Sequence, residues 1–113
     1  TLPKVSEVLD SLDTIKRDLK QKFKKLTNQE LAVFLSIYKL EEEGFFVDYT
    51  LLSQKLSLTE SSIRDYVQRL IKKGLPLHKT KENNKKIILT ISSDFKKITT
   101  FEALSQLKES RIR

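Results

Sequence analysis

Two helical segments separated by only three residues are the feature that most constrains how this 113-residue chain can fold. Residues 49–56 carry leucines at helical spacing, and residues 60–73 repeat the pattern with Ile63, Val67 and Leu70 among the apolar positions. Thr59 is a residue type that caps a helix start, and Gly74 is the type that ends one. A short helix, a tight turn and a longer helix in this order predict a helix-turn-helix.

A β-hairpin is predicted directly after the second helix. Residues 77–81 and 86–91 are rich in β-branched residues, and the polar residues 82–85 between them include two Asn, which tolerate the backbone angles of a turn. A helix-turn-helix followed by such a hairpin is the plan of a winged helix-turn-helix. The fold class is therefore predicted as mainly α with a small β-hairpin wing and flanking N- and C-terminal helices.

A further helix is predicted ahead of this pair, because Thr27 and Glu30 have the spacing of a capping box. It should run from Thr27 to Gly44, and residues 45–47 should form a short extended apolar link. Asp48 is placed to cap the next helix. In the second helix of the pair, the stripe that includes Tyr66 and Ile71 is predicted to be buried.

The two ends of the chain are predicted to be helical extensions. Residues 1–25 form an amphipathic pattern of about three heptads, which favours a coiled-coil dimerisation element, although packing on its own domain is the alternative. Residues 26–92 are the winged helix-turn-helix domain, and residues 93–113 are a C-terminal helical extension. The predicted dimerisation residues are Val5, Val8, Leu12, Ile15 and Leu19.

Basic residues are concentrated where a winged helix would face DNA. The chain has a formal net charge of +7, and between Arg69 and Lys86 there is one acidic residue, Glu82, whereas Glu41, Glu42 and Glu43 end the earlier helix. An α-helix fits the major groove, and lysines of a wing can neutralise phosphates. The predicted DNA-binding residues are Thr59, Ser61, Ser62, Arg64, Asp65, Gln68, Arg69, Lys72, Lys73, Lys79, Lys81, Lys85 and Lys86.

The run LSLTESSIRDYVQRLIKKGL, residues 56–75, resembles the recognition-helix region of MarR-type winged-helix regulators, and the resemblance extends over roughly residues 26–91. It implies operator DNA as the ligand, dimerisation through flanking helices and a wing on the minor groove. By position it implies that Ser61, Ser62, Arg64 and Asp65 face bases and that Lys85 and Lys86 lie at the wing tip. The hairpin has Thr80 to Asn84 where MarR wings often carry Asp-Xaa-Arg, which predicts a wing contact of plain electrostatics.

Nothing in the sequence favours an enzyme, a metal site or a cofactor. His78 is the single histidine, there is no Cys, and two glycines are too few for a glycine-rich phosphate loop. The longest apolar runs are far shorter than the roughly 20 residues that span a bilayer, so no membrane association is expected. A cysteine-free, basic chain of this kind is expected in the cytoplasm, associated with the nucleoid.

The leading hypothesis is a homodimeric transcription regulator that binds double-stranded DNA in a sequence-specific manner, with a protein partner of the N-terminal helix as a further possibility. Two alternatives remain open. One is a winged helix used as a protein–protein interaction module, and the other is a non-specific chromatin- or replication-associated DNA binder.

Overall fold

The protein is described from a computed structural model, over residues 17–82 and 86–98. Residues 17–24 are helical (α1) and are followed by three helices, a hairpin and a short helix. These elements are α2 (Asn28–Glu42), α3 (Tyr49–Leu56), α4 (Glu60–Lys72), β1 (Leu77–Glu82), β2 (Lys86–Ile91) and α5 (Ser93–Ile98). The predicted winged helix-turn-helix is confirmed.

The start of α2 has the predicted capping box. The Thr27 hydroxyl accepts the Glu30 N–H at 3.1 Å, and Glu30 Oε1 accepts the Thr27 N–H at 2.8 Å. The helix ends at Glu42, and Gly44 follows with φ +92°, a conformation that L side chains rarely adopt. Local signals thus determine both ends of α2, as predicted.

The core is one cluster that includes both flanking segments. Phe23 of α1 and Phe95 of α5 pack on Phe34 of α2, with ring centroids 5.2 Å and 5.8 Å from that of Phe34. Leu19, predicted as a dimerisation residue, is partly buried against this same core. The other four predicted dimerisation residues, Val5, Val8, Leu12 and Ile15, lie outside the described residues, as do residues 99–113 of the predicted C-terminal extension.

The sheet has two antiparallel strands, whose register runs from Leu77 opposite Ile91 to Glu82 opposite Lys86. A single bridge extends it: the Leu89 N–H donates to the carbonyl of Val47 at 2.8 Å. Leu89 and Val47 are both fully buried, so this bridge holds the hairpin base against the helices. The link before α3 is apolar in sequence, but its first two residues, Phe45 and Phe46, are 47% and 78% exposed.

Three further sequence predictions need correction. Glu82 belongs to β1 and not to the turn, because it still pairs with Lys86. Ile71 is 38% exposed, since the buried stripe of α4 follows Ile63, Val67 and Leu70. Glu41 is more than part of a charged helix end, because its Oε1 accepts the Ile91 N–H at 2.7 Å and lies 3.3 Å from Lys96 Nζ, which fixes β2 and α5 to α2.

Candidate nucleic-acid interface

The turn between α3 and α4 is held by side chains of its own residues. Ser57 ends α3 in the left-handed region at φ 54°, which redirects the chain within one residue. Thr59 then caps α4, because its hydroxyl oxygen accepts the Ser62 N–H at 3.1 Å. The first turn of α4 is therefore fixed by a predicted cap and lies at the surface.

The outward face of α4 is polar over its first two turns. Ile63, Val67 and Leu70 are fully buried and define the inward face. The residues predicted to contact DNA lie on the other side of the helix: Ser61, Arg64, Asp65 and Gln68 are exposed, and Ser62 is half-buried. This is a continuous hydrogen-bonding surface on a helix whose opposite side is anchored in the core.

Arg64 lies on an aromatic ring. Its guanidinium carbon is 5.3 Å from the ring centroid of Tyr49, the first residue of α3, and Tyr49 is almost fully buried. A planar cation over an aromatic face gains about 0.5–1 kcal/mol at an exposed site. Arg69 has a similar contact with Tyr66 at 5.7 Å. The stacking restricts the motion of the Arg64 side chain while it stays exposed to solvent.

The wing has exposed lysines along β1. Lys79 and Lys81 are exposed and have no acidic partner among the described residues, whereas Lys85 lies outside them. Lys86 of β2 differs from these lysines, since its Nζ lies 3.0 Å from Asp48 Oδ2. The wing is thus connected through one ion pair to the first residue before α3.

Asp48 has two functions in this arrangement. Its Oδ1 accepts the Leu51 N–H at 2.7 Å, as predicted for a helix cap, and its Oδ2 binds Lys86. Burial by itself would raise the pKa of Asp48, but the hydrogen bonds from Leu51 and Lys86 more than offset that effect and the pKa lies below its usual value. The carboxylate is therefore ionised at neutral pH.

Lys73 does not lie on the exposed face with the other predicted DNA-binding residues. Its Nζ donates to Glu30 Oε1 at 2.6 Å and to the Lys25 carbonyl at 3.1 Å, and Glu30 is only 1% exposed. Burial would raise the pKa of Glu30, but the Lys73 ion pair and the Thr27 hydrogen bonds outweigh it, and the pKa is lowered. Lys73 neutralises a buried charge, so its ammonium is already engaged within the protein.

Two groups that sequence reasoning missed shape this surface. Tyr49 supports Arg64 from the preceding helix, and Asp48, identified only as a cap, also binds the wing. The order of residues gives no sign of either contact, because both depend on how α3 and the wing pack in space.

In the part of the chain that the structure describes, no group of three or more His, Asp or Glu residues could hold a metal ion. No described helix is long and apolar enough to cross a membrane. His78 is exposed on β1, opposite Thr90. The exposed polar and basic side chains described above lie on the α4 face and on the neighbouring wing.

A capped helix with an exposed polar face, a tight turn before it and a basic hairpin after it define a winged helix-turn-helix protein. Within that class the family is given by a sequence model, the DnaD N-terminal domain, which matches residues 15–110. The chain belongs to the DnaD N-terminal domain family. A search among curated proteins gives no match.

Solved structures with the same fold include regulators of the type that the sequence resembles. The chain is similar to MepR, a transcription regulator of the Staphylococcus aureus multidrug efflux pump MepA, with a TM-score of 0.60, 13% identity, and coverage of 96% of this chain and 79% of that one. It is also similar to MarR from E. coli, with a TM-score of 0.54, 16% identity, and coverage of 95% and 78%. A probable transcriptional regulator from Pseudomonas aeruginosa gives a TM-score of 0.57 at 16% identity, over 96% and 81%. At these identities the likeness is one of fold.

Proposed function

We propose that this domain binds double-stranded DNA, with the first two turns of α4 in the major groove and the wing on the adjoining backbone. The observation that carries the proposal is the exposed polar face of α4, in which Arg64 is held against Tyr49 and remains open to a ligand. Restricting a long side chain before binding lowers the entropy lost on binding. The neighbouring structures named as transcription regulators support the same ligand class.

Each residue of the α4 face has a stated role in the proposal. Arg64 makes a bidentate contact to guanine, and Gln68 pairs with adenine. Asp65 accepts from cytosine or orients a neighbouring arginine. Ser61 and Ser62, beside the Thr59 cap, are short enough to bring the backbone close to phosphates or base edges.

The wing contributes position and affinity. Lys79, Lys81 and Lys86, together with Lys85, neutralise phosphates; each such contact adds about one unit to the salt dependence of binding. Lys86 has to share its charge between Asp48 and a phosphate. The lysines of β1 are therefore expected to contribute more than Lys86.

We consider two versions of this DNA-binding function. A sequence-specific MarR-like regulator is favoured by the resemblance of the α4 region and by the regulators among the structural neighbours. A replication-associated binder with little sequence preference is favoured by membership of the DnaD N-terminal domain family. The first version requires base contacts from Arg64 and Gln68, and the second requires mainly the wing lysines.

Fluorescence anisotropy with short duplexes over a salt series tests the proposal, together with selection from a randomised duplex pool. The variant R64A/Q68A removes the base contacts, and K79Q/K81Q removes two phosphate contacts. A specific regulator gives an enriched motif that R64A/Q68A abolishes, with an affinity loss of about 10-fold or more per lost base contact. Equal losses in the two variants, without a motif, identify the replication-associated version. No binding at low salt contradicts DNA as the ligand and favours the protein-interaction alternative.

A homodimer remains part of the proposed regulator. Val5, Val8, Leu12 and Ile15, with Leu19, would form its seam, and two-fold symmetry would place half-sites about one helical turn apart. Because Leu19 is partly buried in its own core, the seam would rest mainly on the other four residues. Sedimentation equilibrium at tens of micromolar tests this: a monomer at that concentration rules out the dimeric regulator. DNA as the ligand would locate the working protein on the nucleoid, in the cytoplasm.

A further inference from the structure

A second basic surface lies where the C-terminal end of α1 meets the C-terminal end of α4. The Lys73 side chain reaches the Lys25 carbonyl at 3.1 Å, and the Lys22 side chain lies so close to Gly74 that a Cβ added there would sit 3.4 Å from Lys22 Cε. These two contacts place the ends of α1 and α4 side by side. We define the α1–α4 basic surface as Lys22, Lys25, Arg69 and Lys72.

The charge of this surface is not neutralised within the described protein. Residues 17–25 hold five basic residues and one acidic residue, Asp18, which is one helical turn from Lys22. Glu30 is buried beneath and is already paired with Lys73. Lys22, Lys25 and Lys72 form no ion pair with any residue in ranges 17–82 and 86–98.

The far end of this surface is distant from the start of α4. Lys72 is ten residues beyond Ser62, which is about 15 Å at 1.5 Å per residue. A major groove is about 12 Å wide, so a duplex that takes the start of α4 into its groove leaves the other end of the helix outside. Lys72 thus lies beyond that groove, whereas Arg69, one residue after Gln68, lies between the start of α4 and the α1–α4 basic surface.

The chemistry of the surface favours a nucleic-acid backbone over a protein. Lysine is depleted in protein–protein interfaces, which are centred on apolar and aromatic residues, and the large apolar side chain exposed near this surface on α4 is Ile71 at 38%. Compact ammonium groups on flexible stems suit phosphates whose position varies along a strand. The C-terminal ends of both helices also carry the negative pole of the helix dipole, which favours lysines there. The ammonium groups make no ion pair with the dipole and remain able to bind phosphates.

We propose that the α1–α4 basic surface binds the phosphate backbone of a second duplex segment, so that one protein domain can hold two segments of DNA. The proposal rests on the proposed function only in taking DNA as the ligand, because it uses neither the start of α4 nor the wing.

A two-duplex assay tests it. Two 20-base-pair duplexes, one with a donor and one with an acceptor dye, are mixed with the full chain, and energy transfer reports their joint binding. The variant K22Q/K25Q removes two charges of the surface at residues outside the set predicted to contact the first duplex; Lys25 is exposed and Lys22 is half-buried. The variant K39Q/K55Q is the matched control, because Lys39 and Lys55 are also exposed but belong to α2 and α3.

The expected result is that K22Q/K25Q lowers energy transfer at least 10-fold and reduces its salt slope by about two units, while binding of a single duplex changes less than 3-fold. K39Q/K55Q should leave energy transfer within 2-fold of the wild type. The inference is overturned if both variants lose transfer equally, or if the wild type binds one duplex without ever joining two. It is also overturned if K22Q/K25Q weakens the binding of polyglutamate but leaves energy transfer unchanged, which would indicate that the surface binds an acidic protein. Absence of single-duplex binding would refute the proposed function itself.

Discussion

The two ends of α4 both carry basic side chains, but these side chains have different surroundings and different roles. At the start, Thr59 caps the helix and Arg64 lies exposed on Tyr49. At the other end, Lys73 turns inward and neutralises Glu30, a residue 43 positions earlier in the chain. A basic side chain on this helix therefore contributes either to holding the fold or to meeting a ligand, depending on whether a buried acid lies within its reach.

This difference separates stability from binding along one helix. Glu30 is nearly fully buried, so an unpaired charge there would lower the free energy of unfolding strongly. The side chains around Arg64 are exposed to water, so substituting them should change the free energy of unfolding little. Substitution of Lys73, whose side chain pairs with Glu30, should affect folding first. Substitutions near its start should affect the ligand first.

The largest expected effect comes from breaking the Lys73 ion pair. Removing one partner of a buried pair costs roughly 3–5 kcal/mol, and because the Lys73 side chain is 34% exposed we expect Lys73→Met to destabilise the protein by about 2–3 kcal/mol. Urea unfolding followed by circular dichroism measures this. DNA affinity per folded molecule should stay within 2-fold of the wild type.

The control for that prediction is the double variant E30Q/K73M. The amide oxygen of a glutamine in place of Glu30 would still accept the Thr27 N–H but carry no charge, so the double variant should recover at least half of the loss. If K73M alone unfolds at the same urea concentration as the wild type, the two ends of α4 do not differ in the way described.

The pH dependence of stability should report the same pair. The folded-state pKa of Glu30 is lowered, so its contribution is present at neutral pH and is lost as the pH falls through that lowered value. The stability difference between the wild type and Glu30→Gln should therefore be largest near pH 7 and shrink below about pH 4.5. Urea titrations at a series of pH values measure it; a difference that grows on acidification would contradict the lowered pKa. Asp48, whose pKa is also lowered, adds a loss in the same direction that is common to both proteins.

Sequence signals predicted this molecule well wherever a structure is determined by neighbouring residues. The capping residues Thr27, Asp48 and Thr59 marked three helix starts, and the two β-rich segments marked the hairpin within one residue. These features depend on contacts three or four residues apart, which a linear pattern contains.

Most of the missed contacts join distant parts of the chain. The Lys73 pair spans 43 residues, and the hydrogen bond from Ile91 to Glu41 spans 50. Lys73 looked equivalent to Lys72, since both are basic residues at the end of an amphipathic helix, and only the position of Glu30 in three dimensions distinguishes them. The polar face of α4 was predicted because it is the complement of an apolar stripe, whereas the support from Tyr49 depends on the crossing of two helices.

A smaller effect is expected at the other end of α4. Thr59→Ala removes the cap and should cost about 1 kcal/mol of unfolding free energy, with Thr59→Ser as a control that keeps the hydroxyl. Because the freed N–H groups lie in the first turn, exchange of the Ser62 amide hydrogen should accelerate in Thr59→Ala more than exchange of the Leu70 amide. Equal acceleration at both positions would mean that the cap stabilises the whole domain and not the helix start.

The smallest effect on stability belongs to the wing. K79Q/K81Q should change the unfolding free energy by less than about 0.5 kcal/mol, because both side chains are exposed. The same variant should reduce the salt slope of single-duplex binding by about two units. The exposed pair Lys39 and Lys55 serves as the control for charge alone. A stability loss as large as that of K73M would show that these lysines hold the fold together as Lys73 does, and would contradict this prediction.

The bridge between Val47 and Leu89 has a consequence for how this protein tolerates change in length. It anchors the base of the hairpin to the helices, while β1 from His78 onward is exposed and contributes nothing to the core. Residues added in equal number to the end of β1 and the start of β2 would lengthen the wing without altering the alternation of side chains near Leu89. The hairpin is thus a part whose reach can be adjusted by insertion, and longer versions of it should be accommodated by an unchanged helical core.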